Sequence, residues 1–503
     1  METKVETVPS AEVQLVAPIV VETSKVGFVE RLCTALFKPV DISFLVVFRI
    51  LFGGIMLWET YRYFAYGWIS RYYVEPVVNF TYYGFSWVKP WPGRGMYIHF
   101  FVLGLAAACV MVGFLYRFAA PVFFLTFTYI FLLDQTRYLN HLYLVCLIGF
   151  LMCFLPAERA FSVDALWRPK IRSDVVPAWT LWLVRIQVGI PYFYGGIAKL
   201  NSDWVHGGEP MRTWLRPFTK LSAFGSLFAS DWVVYVFVVG GLMLDLLVVP
   251  LLLWRRTRLF VLPAAILFNL TNALIFDIGI FPWFMLGSLL IFFPPDLARR
   301  MVKALIPPEE ESAEAKKRSI LEVPQQIAFC QPSMARQKLI VGLLSGYLVT
   351  QILLPLRHYL YPGNVSWTEE GHNFSWHMKL RTKDGKAVFT VKHPQSGQTW
   401  IIKPEDYLKS HQLTKVITKP DLLVLFSHHL AEEKRLEGYD NVEVRAQVLV
   451  SLNGRQPQLL IDPNVDLAKE EVSLLPARWI LPLTTSLASR STVPLDGFVH
   501  SDQ

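Results

Sequence analysis

Several side chains stand where their chemistry is out of place. Lys199 follows Gly195-Gly196-Ile197-Ala198 at the end of an apolar run. A lysine taken out of water loses its preference for the charged form and can act as a base near neutral pH. The same position equally suits a lysine snorkelling from the end of a membrane span, with no chemistry at all. Asn140 and His141 lie with Asp134 and Arg137 between two apolar runs, where a histidine is either a proton carrier or a hydrogen-bonded structural residue. Arg49, Arg185, Gln187, Asp245, Asn269 and Asn272 lie inside apolar runs. An ionisable group in hydrocarbon costs about 2.5 to 3.5 kcal/mol on insertion scales, so each needs a partner or a purpose. Pairing of Arg49 or Arg185 with Asp245 is the structural alternative. No metal-ligand cluster, Gly-rich phosphate loop or Ser/His/Asp arrangement has the required spacing, so metal, nucleotide and triad chemistry are not expected.

The elements that position these residues are membrane spans. The 503 residues are 53% hydrophobic and 17% charged, below the roughly 25% charged of soluble domains. The 48 Lys and Arg exceed the 40 Asp and Glu by 8, but they are scattered between apolar runs, so a nucleic-acid partner is not expected. Apolar stretches long enough to cross a bilayer fall near 43–65, 97–116, 118–135, 138–155, 178–197, 232–254, 259–276, 279–294 and 338–356. Lys and Arg concentrate in alternate connections, including Arg117, Arg159, Arg168, Arg255, Arg256, Arg299 and Arg300. Such residues are retained on the cytoplasmic side, so the N-terminus is expected inside and everything after the ninth span outside. A removed signal peptide is not expected. The fifth span then brings Lys199 to the outer membrane depth, where Asn140, His141, Asn272 and Asp277 also arrive. Convergence of this kind is how helix bundles build sites.

The expected plan is a cytoplasmic segment 1–40, a membrane domain 41–356 with a charged cytoplasmic linker near 299–337, an exported domain 357–490 and a tail 491–503. After the last span the hydrophobic period changes to two, with strands expected at 374–380, 387–392 and 442–452. Asp384-Gly385 and Asn453-Gly454 read as hairpin turns. The fold class is thus a polytopic α-helical membrane protein of about nine transmembrane helices with a mostly β exported domain. That domain has no cysteine; Cys33 and Cys330 are placed on the cytoplasmic side, and Cys109, Cys146 and Cys153 in spans. Glu369, His372, Trp376 and His377 are candidates to face a peptide, or else are surface groups. The aromatic residues from Tyr61 to Trp91 read as an interfacial belt.

Three stretches, FLLDQTRYLNHLYL (131–144), RIQVGIPYFYGGIAKLNSDWVHG (185–207) and FNLTNALIFDIGIFPWFM (268–285), together resemble the vitamin K-dependent gamma-carboxylase family. YPGNVSWTEEGHNFSWHMKLR (361–381) and LLIDPNVD (459–466) resemble the family's domain after the last span, and the likeness runs from about residue 40 to 482. The resemblance implies that Lys199 is the base that deprotonates a reduced quinone, with Asn140 and His141 beside it. Asp203 and Trp204 match the motif that follows the lysine, and Arg49 and Arg185 match intramembrane arginines more loosely. It implies reduced vitamin K, of menaquinol or phylloquinol type, as cofactor, with O2 and CO2 as co-substrates. Quinol oxidation to the epoxide would drive CO2 addition to glutamate in a protein or peptide on the exported side. Asn269 stands where other members have a histidine, Ala198-Lys199 where animal members have two lysines, and the exported cysteines of the animal enzymes are missing. These departures point to a bacterial-type member, multi-pass in the inner membrane; a eukaryotic one would place the domain in the ER lumen. The alternatives are a quinol epoxidase without carboxylation, a transporter, or a membrane receptor whose exported domain binds peptide. Internal half-repeats typical of transporters are not visible.

Overall fold

The structure is a computed structural model that describes residues 27–220, 225–276, 278–305 and 331–487. Lys25, Asp277, Cys330, most of the charged linker and the tail lie outside the described residues. In hydrocarbon every backbone polar group must be satisfied within its own segment, so the apolar stretches become helices. The helices of eight residues or more are α1 (Phe28–Leu36), α2 (Ser43–Ala65), α3 (Gly95–Val112), α4 (Tyr116–Leu133), α5 (Asn140–Met152), α6 (Ala178–Lys199) and α7 (Asp231–Leu253). They continue with α8 (Arg258–Ile275), α9 (Phe281–Ser288), α10 (Leu297–Leu305), α11 (Met334–Leu353), α12 (Ser410–Thr418) and α13 (Pro420–Leu436). Helices α2 to α9 pack in sequence, and α9 returns onto α2 to close a ring. A two-stranded ribbon, β1 (Pro39–Asp41) antiparallel to β2 (Val175–Pro177), ties the starts of α2 and α6 together.

Helices occupy all nine expected positions. Among the described residues, however, only six are long and apolar enough to cross a membrane, or seven if α9 with its 3-10 extension and α10, bent by 92°, form one broken span. Helix α5 has 13 residues, about 20 Å against a hydrocarbon layer of roughly 30 Å. Helix α6 has the length, at 22 residues, but Arg185, Gln187 and Lys199 dilute its apolar character.

The C-terminal region departs further from expectation. Strands β3 (Lys383–Lys392), β4 (Thr399–Ile402), β5 (Glu443–Leu452) and β6 (Gln458–Leu459) form one antiparallel sheet in the order β4-β3-β5-β6. Helices α12 and α13 cover one face of it, so the domain is mixed rather than mostly β. Phe389 and Val391 of β3 and Val444, Ala446 and Val448 of β5 alternate into a core with Val416, Leu423 and Phe426 of these helices. The Asn453-Gly454 turn forms as expected, with φ of 51° and 74°. Asp384-Gly385 makes no turn: both residues continue β3, paired with Ser451 and Val450. Gly385 is required for another reason, since a Cβ there would lie 2.9 Å from Ile417 Cγ2 of α12.

Residues 374–380 form no strand either. This segment leaves the sheet and plunges into the helix bundle, where Trp376 and Phe374 pack against Tyr143 of α5. Glu369, Phe374, Trp376 and Lys379 all have φ between 49° and 68°, a region that costs a side-chain-bearing residue roughly 1 to 2 kcal/mol. Gly371 fits at φ 69° only because it lacks a Cβ, which would lie 2.6 Å from His358 Cα.

Polar bonds lock the domain onto the bundle. Arg455 donates from both Nη atoms to Asp203 at 2.6 and 2.7 Å, and Asn453 Nδ2 donates to the same carboxylate at 2.8 Å. Gln412 Nε2 donates to Val78 O at 2.8 Å and to Asp134 at 3.2 Å. Removing one partner of a buried pair strands the other charge, at a cost of about 3 to 5 kcal/mol. Asp203→Ala is therefore expected to lower the melting temperature in detergent by several degrees and to open the junction to protease. A melting temperature equal to the parent's would show the clamp to be idle.

Candidate active site

The site begins with two helices in near contact. A Cβ on Gly196 of α6 would lie 2.6 Å from Leu246 Cδ2 and 3.2 Å from the Leu246 backbone nitrogen on α7, so only glycine allows this approach. One turn on, Lys199 Nζ donates to Asp245 Oδ2 at 2.5 Å and lies 3.4 Å from Gly195 O. The two residues are 6% and 4% exposed. Beyond Lys199, Asn201 caps the short helix Ser202–Val205 by accepting from Trp204 N at 3.0 Å. This aims the Trp204 ring at the lysine, whose Nζ lies 5.3 Å from the ring centroid, and Trp204 Nε1 donates to Val238 O of α7 at 3.1 Å.

Lys199 and Asp245 lie in the wall of a cavity of about 1010 Å³. On the membrane side its wall is apolar, with Met243, Leu244 and Leu247 of α7 and Leu267 and Phe268 of α8. On the side of the C-terminal domain it is cationic. Lys379, Arg381 and Lys383 come from the inserted segment and the start of β3, while Lys415 and Lys419 stand four residues apart on α12 and just past its end, beyond His411, a ring that burial lowers to about 4 and so leaves neutral. The acid among them, Glu369, stands behind the wall and binds Arg381 at 2.6 and 2.5 Å and Lys383 at 3.3 Å. Burial would raise its carboxyl, but Arg381 and Lys383 hold it well below the usual range. Burial, with Lys419 and Arg381 adding, pushes the Lys415 amine down to about 7. Burial likewise lowers Lys383 to about 8 against the pull of Glu369. His372 and His377 also line the cavity; both rings are buried, 5.4 Å apart, and among the described residues no ring nitrogen has a hydrogen-bond partner, although His372 Nδ1 lies 3.8 Å from Glu369 Oε2. Burial, then His358 and Arg381, lowers His377 to about 3, and burial with Arg381 takes His372 well below its usual value.

Of the residues singled out from the sequence, Lys199, Asn140, His141, Trp204, Asn269, Asn272, His372 and His377 all line this cavity. Asn140 Nδ2 donates to His377 O at 3.1 Å, and its Oδ1 accepts from Tyr138 at 3.0 Å. His141 packs on Phe281, with ring centroids 5.8 Å apart. Asn269 Nδ2 donates to Ala265 O at 2.9 Å and lies 3.5 Å from the Tyr192 hydroxyl.

The remaining residues lie elsewhere. Arg49 donates to Ala157 O at 3.0 Å and Phe161 O at 2.5 Å, and Arg185 to Ile291 O at 2.7 Å and Phe293 O at 2.9 Å. Neither arginine pairs with Asp245: backbone carbonyls at chain turns take two donors of each, Arg49 Nε has no hydrogen-bond partner among the described residues, and the acid belongs to Lys199. Gln187 accepts from Tyr347 of α11 at 2.6 Å. Asp203 is the interdomain clamp, Glu369 anchors the cationic wall from behind, and Trp376 is bundle core. Sequence reasoning missed the cationic set, although Lys379-x-Arg381-x-Lys383 and the four-residue step from Lys415 to Lys419 are visible signals. Arg137, noted in the sequence beside Asn140 and His141 but given no role there, has its guanidinium 3.7 Å over the Tyr72 ring in the same wall. Among the described residues no group of three His, Cys, Asp or Glu is arranged to hold a metal.

The arrangement can hold an anion at its cationic end, take an apolar molecule at the other, and move a proton at Lys199. The family model of the HTTM domain matches residues 37–297, and that of the Vitamin K-dependent gamma-carboxylase, lumenal domain, matches residues 336–486. No solved structure matches the chain.

The neutral histidines make stability depend on pH. Their folded values are lowered, so below about pH 6.5 the unfolded chain binds the extra protons. Their contribution is complete above that pH and is lost as pH falls toward 3, by up to about 1.4 kcal/mol per unit for each. His377→Gln is expected to flatten the fall of melting temperature between about pH 6.5 and 4. A slope identical to the parent's would refute the neutral assignment.

Proposed function

The chain belongs to the vitamin K-dependent gamma-carboxylase family, and we propose that it oxidises a reduced naphthoquinone of the vitamin K type with O2 to the epoxide. The oxidation is coupled to loss of a γ-proton from a protein glutamate and addition of CO2 there. The observation that carries this reading is a single cavity with an apolar wall, a cationic wall and Lys199 beside both. A quinol is apolar and enters from lipid, and the α7 and α8 side chains Met243, Leu247, Leu267 and Phe268 suit it. The bound quinol supplies, with O2, a base far stronger than any side chain, which a glutamate γ-C–H demands. Lys199 Nζ takes the proton of its hydroxyl. Asn140 and His141 orient the oxygens, and the buried walls keep water from quenching the base. Arg381, Lys415 and Lys419 hold the carboxylate of the glutamate substrate.

In a bacterial inner membrane the C-terminal domain faces the exported side, so quinol arrives from the bilayer and peptide from outside. One observation favours the narrower reading of epoxidation alone. Asn269 stands where other members have a histidine, and an amide, here already donating to Ala265 O, cannot take up or release a proton near neutral pH as an imidazole can.

Purified protein given reduced vitamin K and O2 is expected to form epoxide, and Lys199→Ala to lower the rate at least ~100-fold while the fold persists. Labelled bicarbonate incorporated into a glutamate peptide separates the full reaction from epoxidation alone, and no epoxide under any condition defeats both. The peptide's KM should rise as pH passes from below 7 to above it, because the Lys415 amine, at about 7, loses its charge. Lys415→Met should raise KM at low pH and remove that pH dependence; a dependence unaltered in the variant would free Lys415 of the role.

A further inference from the structure

Lys199 raises a difficulty for any role as a base. An ammonium cannot accept a proton, and a carboxylate at 2.5 Å in a water-poor wall favours the ammonium. For Lys199 to accept a proton it must first give one up, and the group placed to receive it is Asp245.

We propose that Lys199 and Asp245 form one acid–base unit, in which Asp245 keeps the lysine protonated and oriented at rest and stores its proton during turnover. This rests on the reading of Lys199 as the base. At rest the pair is ammonium and carboxylate. The proton moves from Nζ to Oδ2 along the existing hydrogen bond, breaking N–H and forming O–H, which leaves amine and carboxylic acid. Nζ then takes the proton of an acidic hydroxyl in the cavity, breaking that O–H and forming N–H. The pair ends as ammonium and carboxylic acid, one proton richer, with the positive charge facing the new oxyanion. No electron changes hands. Asp245 is a positioning and proton-storing residue, acting through Lys199.

Three further features fit such a unit. Gly195 and Gly196 remove the side chains that would separate the two helices, and a Cβ on Gly195 would lie 3.4 Å from Asp245 Oδ2 itself. The other groups around the pair are mostly not titratable: Trp204 from the segment after α6, Met378 from the inserted segment and Asn269 from α8. Tyr192 of α6 is the further titratable side chain whose field meets Asp245. Both members line the same cavity, so the stored proton lies next to where it is needed.

The test reads the lysine directly. Reductive methylation with formaldehyde and cyanoborohydride modifies neutral amines, and peptide mass spectrometry gives the rate at Lys199 between pH 7 and 9. In native protein Lys199 is expected to react slowly throughout, in Asp245→Asn on the order of tenfold or more faster, and in Asp245→Glu slowly again. Equal rates in native protein and Asp245→Asn would overturn the proposal. Should the Asn variant fail to fold, Asp245→Ser takes its place with the same expectation, and methylation of native Lys199 at neutral pH at the rate of exposed lysines overturns the proposal. Epoxide formation then reports whether the stored proton is used. Asp245→Asn should displace its pH profile and Asp245→Glu restore it, whereas an ion pair that serves stability alone would leave the profile in place. The methylation requires no quinol, so it keeps its meaning even if no epoxide ever forms.

Discussion

An ammonium and a carboxylate can share a hydrogen bond at membrane depth only if the helices that carry them almost touch. That constraint organises the segment from Gly195 to Trp204. Gly195 and Gly196 remove the side chains that would hold α6 off α7, and Lys199 follows one turn later at the height of Asp245. Asn201 ends the helix and caps the next, Trp204 covers the lysine, and Asp203 reaches the other way to Arg455. Ten consecutive residues thus set the helix spacing, the placement of the buried lysine, its aromatic cover and the interdomain clamp. A buried pair of this kind is weak evidence for stability, because taking both charges out of water costs as much as their attraction returns. Its retention beside a cavity is better understood through what the pair can do with a proton.

The cavity is equally a product of the C-terminal domain. Residues 369–379 leave the sheet and enter the bundle in a backbone conformation that four non-glycine residues adopt at a cost. Such strain persists only where the surroundings over-determine it. Here Phe374 N donates to the Tyr138 hydroxyl at 2.6 Å, Asn140 donates to His377 O at 3.1 Å, and Trp376 packs on Tyr143. The same segment delivers His372, His377 and Lys379 to the cavity wall, with Arg381 just beyond it. The strained backbone and the polar wall are one feature, which is why the domain cannot be regarded as an appendage.

Much of this was legible in the sequence, for a physical reason that also marks where legibility ended. A polar side chain in an apolar run has few explanations, so Lys199, Asn140, His141 and Asn269 stood out, and all line the cavity. Arg49 and Arg185 stood out equally and misled, because the donors of a guanidinium can be satisfied by backbone carbonyls as well as by an acid. Asp384-Gly385 has the composition of a hairpin turn, but that glycine serves the close packing of Ile417, a contact 32 positions away that no local pattern encodes. Nor does local sequence reveal that α12 lies against the cavity. Lys415 and Lys419 drew no attention in the sequence, because only the seating of the domain on the bundle brings them to the cavity wall.

The two walls impose an order on what the cavity can hold. Helices α7 and α8, which supply the apolar wall, leave most of their length unburied, as α11 does, whereas the cationic wall belongs to the C-terminal domain and the segment that it inserts. A molecule partitioned into the bilayer and a charged one dissolved in water therefore reach the same space from different phases. Neither needs to cross the other's medium. An anion entering the cationic end joins acids already beside these side chains, Glu369 at Arg381 and Lys383 and Asp421 near Lys419. Burial has already weakened the protonated form of Lys415, so an anion that enters gains most where the wall most needs it. Occupancy of the cationic end thus strengthens the charge of its own wall.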